Sequence, residues 1–137
     1  MACSGSSHDS PARWTAQPLH RCRRKGRLHD AEAFLDAAET AKDPDVIATS
    51  AIHSAIAAAD AVCCVALRER SADGSHPSAI QLLSRVDKGL SAALRRALDR
   101  KTQAAYESRD ISASDANMCV RQAALLLDAA RQRVLAT

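Results

Sequence analysis

Apolar positions recur at helical spacing through most of this chain, and no stretch alternates with the two-residue period of a half-buried strand. From Asp30 to Lys42, Phe34, Leu35, Ala38 and Ala41 share one side of a first short helix, whose acidic start suits the helix dipole. Asp43-Pro44 resets the chain, because Asp43 can cap and Pro44 fits a first turn. Behind it, Val46, Ile52, Ile56, Ala59, Val62, Cys63 and Ala66 line the broad apolar face of a long central helix. That helix is expected to stop by Gly74, which tolerates the left-handed backbone of a helix end. Pro77 opens a third segment in which Ile80, Leu83 and Val86 make a narrow stripe ending near Gly89. Leu94, Ala97, Leu98, Lys101 and Ala105 then continue helical spacing to about Arg109. Asp110-Ile111-Ser112 interrupts it, and Ser112 with Asp115 forms a capping-box pattern. A last helix buries Ala116, Cys119, Val120, Ala123, Leu127 and Val134.

The pattern predicts an all-α fold, an up-and-down helical bundle of four to five helices over residues 28–137. Residues 1–27 are rich in Ser, Pro, Arg and Gly without periodicity, which predicts a disordered basic N-terminal segment. A length of 137 residues leaves room for one core. Thirty of those residues are alanine and three are aromatic, so the apolar surface is spread over small side chains. Burial at about 25 cal/mol per Å² rewards large side chains most, so a homodimer is the expected source of extra stability. Arginine outnumbers lysine fifteen to four, a bias that fits a GC-rich bacterial genome.

The net charge of +3 is unevenly distributed. Residues 10–29 hold Arg13, Arg21, Arg23, Arg24, Lys25 and Arg27 and no acidic residue, whereas residues 30–137 hold thirteen basic against fifteen acidic ones. The bundle therefore lacks the overall charge of a dedicated nucleic-acid binder, while the N-terminal segment is able to touch phosphates non-specifically. Five cysteines without a CxxC pair match neither a disulfide scaffold nor a zinc site, so reduced thiols and no metal or cofactor are expected. Cys63 and Cys64 stand together in an apolar run, either as core side chains or as a vicinal redox pair. The apolar run from Ala55 to Leu67 is short and broken by Asp60, and Met1 is not followed by an apolar signal core. A cytoplasmic protein without a membrane partner is the expectation.

No serine or cysteine stands in a nucleophile turn, and the four glycines are isolated, so triads and phosphate loops are absent. His53 and Asp60 lie seven apart in the second helix, on nearly one face, as either a ligand-binding pair or a hydrogen-bonded rim. Arg70 and His76 flank the loop Ser71-Ala72-Asp73-Gly74-Ser75. An arginine can neutralise phosphate charge and a histidine can move a proton near neutrality, the minimum for metal-independent RNA cleavage. The bland alternative is a helix-ending arginine and a loop histidine.

The arrangement as a whole resembles the HEPN superfamily of small helical bundles. The likeness rests on ATSAIHSAIAAADAVCCVAL as a long small-residue second helix, SHPSAIQLL as a histidine-led third segment, and RKTQAAYESRDISASDANMCVRQAALLLDAARQRV as the closing elements. It covers roughly two-thirds of the chain. The resemblance implies a module that binds RNA, a nucleotide or a partner protein in a toxin-antitoxin or defence setting. A nucleotidyltransferase-like protein is one partner it implies. The ribonuclease members share an arginine and a histidine four to six residues apart, which here points to Arg70 and His76 as catalytic. The segment that looks alignable with theirs, Arg100 to Tyr106, contains no histidine, and it marks Arg100 and Tyr106 as binding candidates. A metal-independent endoribonuclease and a purely structural dimerisation bundle are the alternatives.

Overall fold

A computed structural model describes residues 22–71 and 76–137 of the chain. Expectations for residues 1–21 and 72–75, among them most of the N-terminal segment and Gly74 as a helix stop, lie outside the described residues. Five helices and no strand are present among those described: α1 Arg24–Thr40, α2 Pro44–Leu67, α3 His76–Ser84, α4 Lys88–Tyr106 and α5 Ala113–Leu135. The expected all-α bundle is what forms.

The centre of the bundle is α2, which packs extensively along both α1 and α5, while α4 lies against α5 and α3. Ala48, Ala51, Ala55, Ala57, Ala58, Ala59 and Ala61 are all buried on α2. With so small a side chain on nearly every side, neighbouring backbones come close, and a short hydroxyl can bridge them. Ser54 donates to the Ala31 carbonyl at 2.7 Å from the middle of α2. Ser91 does the same from α4 to the Ile80 carbonyl of α3 at 2.9 Å. The larger core side chains, Leu83, Leu94, Leu126, Leu127 and Val62, fill the remaining space from the other helices and from the C-terminal half of α2. By length and composition alone, α2 is apolar enough to cross a membrane, with a mean hydropathy of 1.7, but 67% of that window is buried within the bundle.

Local chemistry sets the helix starts largely as expected. The Asp43 carboxylate accepts the Asp45 N–H at 2.8 Å with Pro44 in the first turn, and the Ser112 hydroxyl accepts the Asp115 N–H at 3.0 Å. Two boundaries differ, at the start of α1 and at Gly89, while α2 stops before Gly74 as expected. Helix α1 begins at Arg24 rather than near Asp30, because Leu28 and Ala31 are buried and Cys22 is tied to α2. Helix α2 stops at Leu67, where the apolar run gives way to Arg68-Glu69-Arg70, and Arg68 itself takes the left-handed conformation (φ 60°). Gly89 lies inside the first turn of α4 rather than ending a helix, since the Asp87 carboxylate caps there by accepting the Leu90 N–H at 3.0 Å.

The cysteines also depart from expectation. Cys22 and Cys64 form a disulfide across a separation of 42 residues, which rules out a Cys63–Cys64 vicinal pair. Spacing could not reveal it, because antiparallel packing of α1 on α2 is what brings the two residues together. Overpacking tests the close approach of helices to α2. Ala58→Leu, at a fully buried position, is expected to lower unfolding stability by about 1–3 kcal/mol in urea titration, whereas Ala33→Leu on the exposed side of α1 shifts it by less than about 0.5 kcal/mol.

Candidate functional site

Helices α2, α3 and α4 enclose between them an open cavity of about 320 Å³. His53 and Thr49 reach it from α2, His76 from the first position of α3, and Lys101 and Thr102 from α4, over an apolar floor that includes Ile56 and Leu98. No carboxylate lines it. The Lys101 ammonium donates to the Thr49 hydroxyl, and Lys101 forms no ion pair among the described residues. His53 is steadied by an edge-on contact with the Phe34 ring, centroids 5.1 Å apart, which gives that exposed phenylalanine a role at the rim. A pocket holding one ammonium, two imidazoles and two hydroxyls, with no acid, is chemically suited to an anion, and an imidazole can serve as donor or acceptor of a proton.

The six residues singled out from sequence fall into separate places. His53 and His76 share this cavity. Asp60 does not join His53: it is buried to 8% exposure and accepts from Arg27 of α1, with Nε at 3.1 Å and Nη2 at 3.0 Å. Arg27 spreads its remaining nitrogen to Asp30 at 2.9 Å. Arg70 turns inward to the same carboxylate, with Nη1 4.0 Å from Asp60, and its Nε is buried without a hydrogen-bond partner. The Arg70–His76 pair is therefore not assembled in one cavity. The buried carboxylate draws Arg70 as a second guanidinium behind Arg27, so Arg70 faces the core. Arg100 faces Asp115 of α5 at 4.0 Å, beside Arg109 at 3.7 Å from the same residue, and so clamps α4 to α5. Tyr106, the last residue of α4, is 89% exposed and lines neither this cavity nor the ion-pair cluster.

Sequence reasoning missed Lys101, Thr49 and Arg27. Lys101 was legible as a lone lysine within the apolar spacing of α4, where a charge has no packing purpose. Arg27 was hidden by its place in a run of basic residues that lacks periodicity.

Among the described residues no three His, Cys, Asp or Glu side chains converge in the way a metal ion requires. No protein-family model matches this chain, and neither a curated protein nor a solved structure matches it either.

Burial raises the Asp60 carboxyl above its ordinary value of 3.8, and the Arg27 charge, the Arg27 hydrogen bonds and then Arg70 pull it part of the way back. The folded state thus binds the Asp60 proton more readily than the unfolded chain does. Stability from this group is present below 3.8 and is lost as pH rises through the higher folded value. Urea titrations of parent and Asp60→Asn across that window should show the variant gaining on the parent as pH rises. A difference that stays flat would leave Asp60 titrating as in the unfolded chain. Breaking the cluster outright with Asp60→Ala is expected to cost about 3 kcal/mol, since it leaves Arg70 without its carboxylate and Arg27 with Asp30 alone.

Burial also pushes the Cys63 thiol up to about 12 and the Cys119 thiol up to about 11. Neither forms appreciable thiolate near neutrality, so both should resist iodoacetamide at pH 8 in the folded protein and react once urea unfolds it.

Proposed function

We propose that this chain is a HEPN-like helical module acting on RNA, with the cavity between α2, α3 and α4 as its site. The observation that carries this reading is the acid-free convergence of His53, His76 and Lys101 on one small cavity. Lys101 supplies a fixed positive charge for non-bridging phosphate oxygens, and Thr49 and Thr102 supply hydroxyls for the same oxygens or for the ribose. The first turn of α3 starts at His76, so the positive end of that helix dipole adds to the attraction. The apolar floor favours a group with a flat or hydrophobic part beside the phosphate, as a nucleotide has.

The presence of two imidazoles rather than one favours cleavage over simple binding. One imidazole removes the proton of the ribose 2′-hydroxyl as that oxygen attacks phosphorus. The bond from phosphorus to the 5′-oxygen breaks, and the other imidazolium gives that oxygen its proton. The products are a 2′,3′-cyclic phosphate and a 5′-hydroxyl, and the two histidines end with their protons exchanged. Lys101 stabilises the charge that builds on the phosphoryl oxygens, a contribution that needs no metal. In this arrangement Arg70 has a structural part, held on Asp60.

The full chain incubated with a labelled single-stranded RNA in chelator tests both steps, with binding read by anisotropy and cleavage on a gel. His53→Ala and His76→Ala are each expected to slow cleavage by about 10²–10⁴-fold with RNA still bound, and Lys101→Ala to weaken both. RNA that binds but stays intact leaves a binding module. RNA that does not bind at all, or a cleavage rate indifferent to both histidines, removes this site from consideration.

A further inference from the structure

At the opposite end of α2 from this cavity, the start of α1 and the end of α2 border a second, larger open pocket of about 650 Å³. Its charged side chains are Arg23, Arg24, Lys25 and Arg68, none of them acidic, and Thr137, which carries the terminal carboxylate, also lines it. None of these four cations forms an ion pair among the described residues. Six other arginines, Arg27, Arg70, Arg100, Arg109, Arg131 and Arg133, each face a carboxylate. Four like charges around one concavity repel one another, and an anion seated between them removes that cost.

The backbone is arranged to the same end. Arg23 precedes α1 with φ 44° and gives no side-chain cap, and the first turn holds no acidic residue. The free N–H groups of Arg24, Lys25 and Gly26 therefore open the helix at the pocket these residues line. Only three non-glycine residues among those described have positive φ, and two of them, Arg23 and Arg68, lie in this pocket. Left-handed backbone at a long side chain is unfavourable and persists only where its surroundings impose it. At Arg68 it is the left-handed end of α2, and next to Arg23 the Cys22–Cys64 disulfide anchors the chain to α2. Cys22 immediately precedes Arg23, and the Arg68 N–H donates to the Cys64 carbonyl at 3.1 Å. The covalent link thus fixes the two arginine-bearing arms against each other before any ligand arrives.

We propose that this pocket is a binding site for a short run of contiguous phosphates, such as an inorganic or nucleotide triphosphate, pre-organised by the Cys22–Cys64 disulfide. Guanidinium forks of Arg23, Arg24 and Arg68 pair with phosphate oxygens, Lys25 adds a point charge, and the α1 N–H groups take the oxygens left between them. Four cations and an open helix start exceed what a single phosphate needs, which is why a chain of two or three is the fitting ligand. The site is separate from the histidine cavity and does not depend on it.

Calorimetric titration of the oxidised full chain with tripolyphosphate, and in parallel with ATP, tests the proposal at low ionic strength. Saturable 1:1 binding is expected, weakened about tenfold or more by Arg68→Ala and less by Arg68→Lys. Arg121→Ala, an exposed cation on α5, should leave it unchanged. Equal affinity for both probes identifies the triphosphate group as what is recognised, and binding of tripolyphosphate alone identifies the inorganic chain. Cys22→Ser/Cys64→Ser, checked for retained helicity by circular dichroism, should bind several-fold more weakly than the oxidised parent. Absence of saturable binding to the oxidised parent, or affinity that falls equally in Arg121→Ala and Arg68→Ala, overturns the site. Unaltered affinity in a folded double-serine variant overturns the role of the disulfide.

Discussion

Everything in this fold is arranged around the alanine surface of α2. A helix whose buried positions are mostly methyl groups offers little transfer free energy per residue, but it lets other helices approach its backbone closely. That closeness explains Ser54 as a bridge to α1, since a serine side chain reaches a neighbouring carbonyl only when the two helices nearly touch; Ser91 makes the same kind of bridge between α4 and α3. It also explains why stability is supplemented by other means. The Asp60–Arg27 pair joins α2 to α1 through one part-buried ionic contact, and the Cys22–Cys64 disulfide joins the same two helices covalently near their ends. A cross-link closing some 42 residues removes about 4 kcal/mol of chain entropy from the unfolded state in the loop-closure account, a large share for a domain this small.

The same constraint separates the charges into those that hold the bundle and those left over. Arg27, Arg70, Arg100, Arg109, Arg131 and Arg133 are committed to carboxylates. Lys101 at one cavity and the four cations where α1 starts and α2 ends are not. The near-zero net charge of the bundle conceals this, because pairing is local. Two concavities without an acidic side chain on one small domain are a stronger indication of anion chemistry than total charge, and each is framed by the end of a helix. Both pockets also sit at places where α2 meets a neighbour that does not run its full length: α3 is short, and α1 begins only at Arg24.

Individual residues show what local pattern can and cannot carry. Asp43 with Pro44 and Ser112 with Asp115 are legible because a cap is made within a few residues of the chain. His53 and His76 were legible as candidates but not as partners, and Arg70 was paired with His76 by spacing when its true partner is Asp60. Spacing across a loop says how far apart two residues are along the chain. It is silent on whether a buried charge elsewhere competes for one of them. Lys101 is the reverse case, a residue that periodicity absorbed into an apolar stripe although its ammonium ends at Thr49 in a cavity.

From the sequence by itself follow the all-α class, a count of four to five helices, most of the helix starts and the apolar faces, because each depends on interactions within about four residues or on a 3.6-residue period. Tertiary packing alone decided the rest. The disulfide spans 42 residues, the Arg27–Asp60 pair 33, and the cavity of His53, His76 and Lys101 draws on three helices. Such contacts depend on which helix faces lie together and in what register, a choice made by the packing of the whole core and written in no local stretch of the chain.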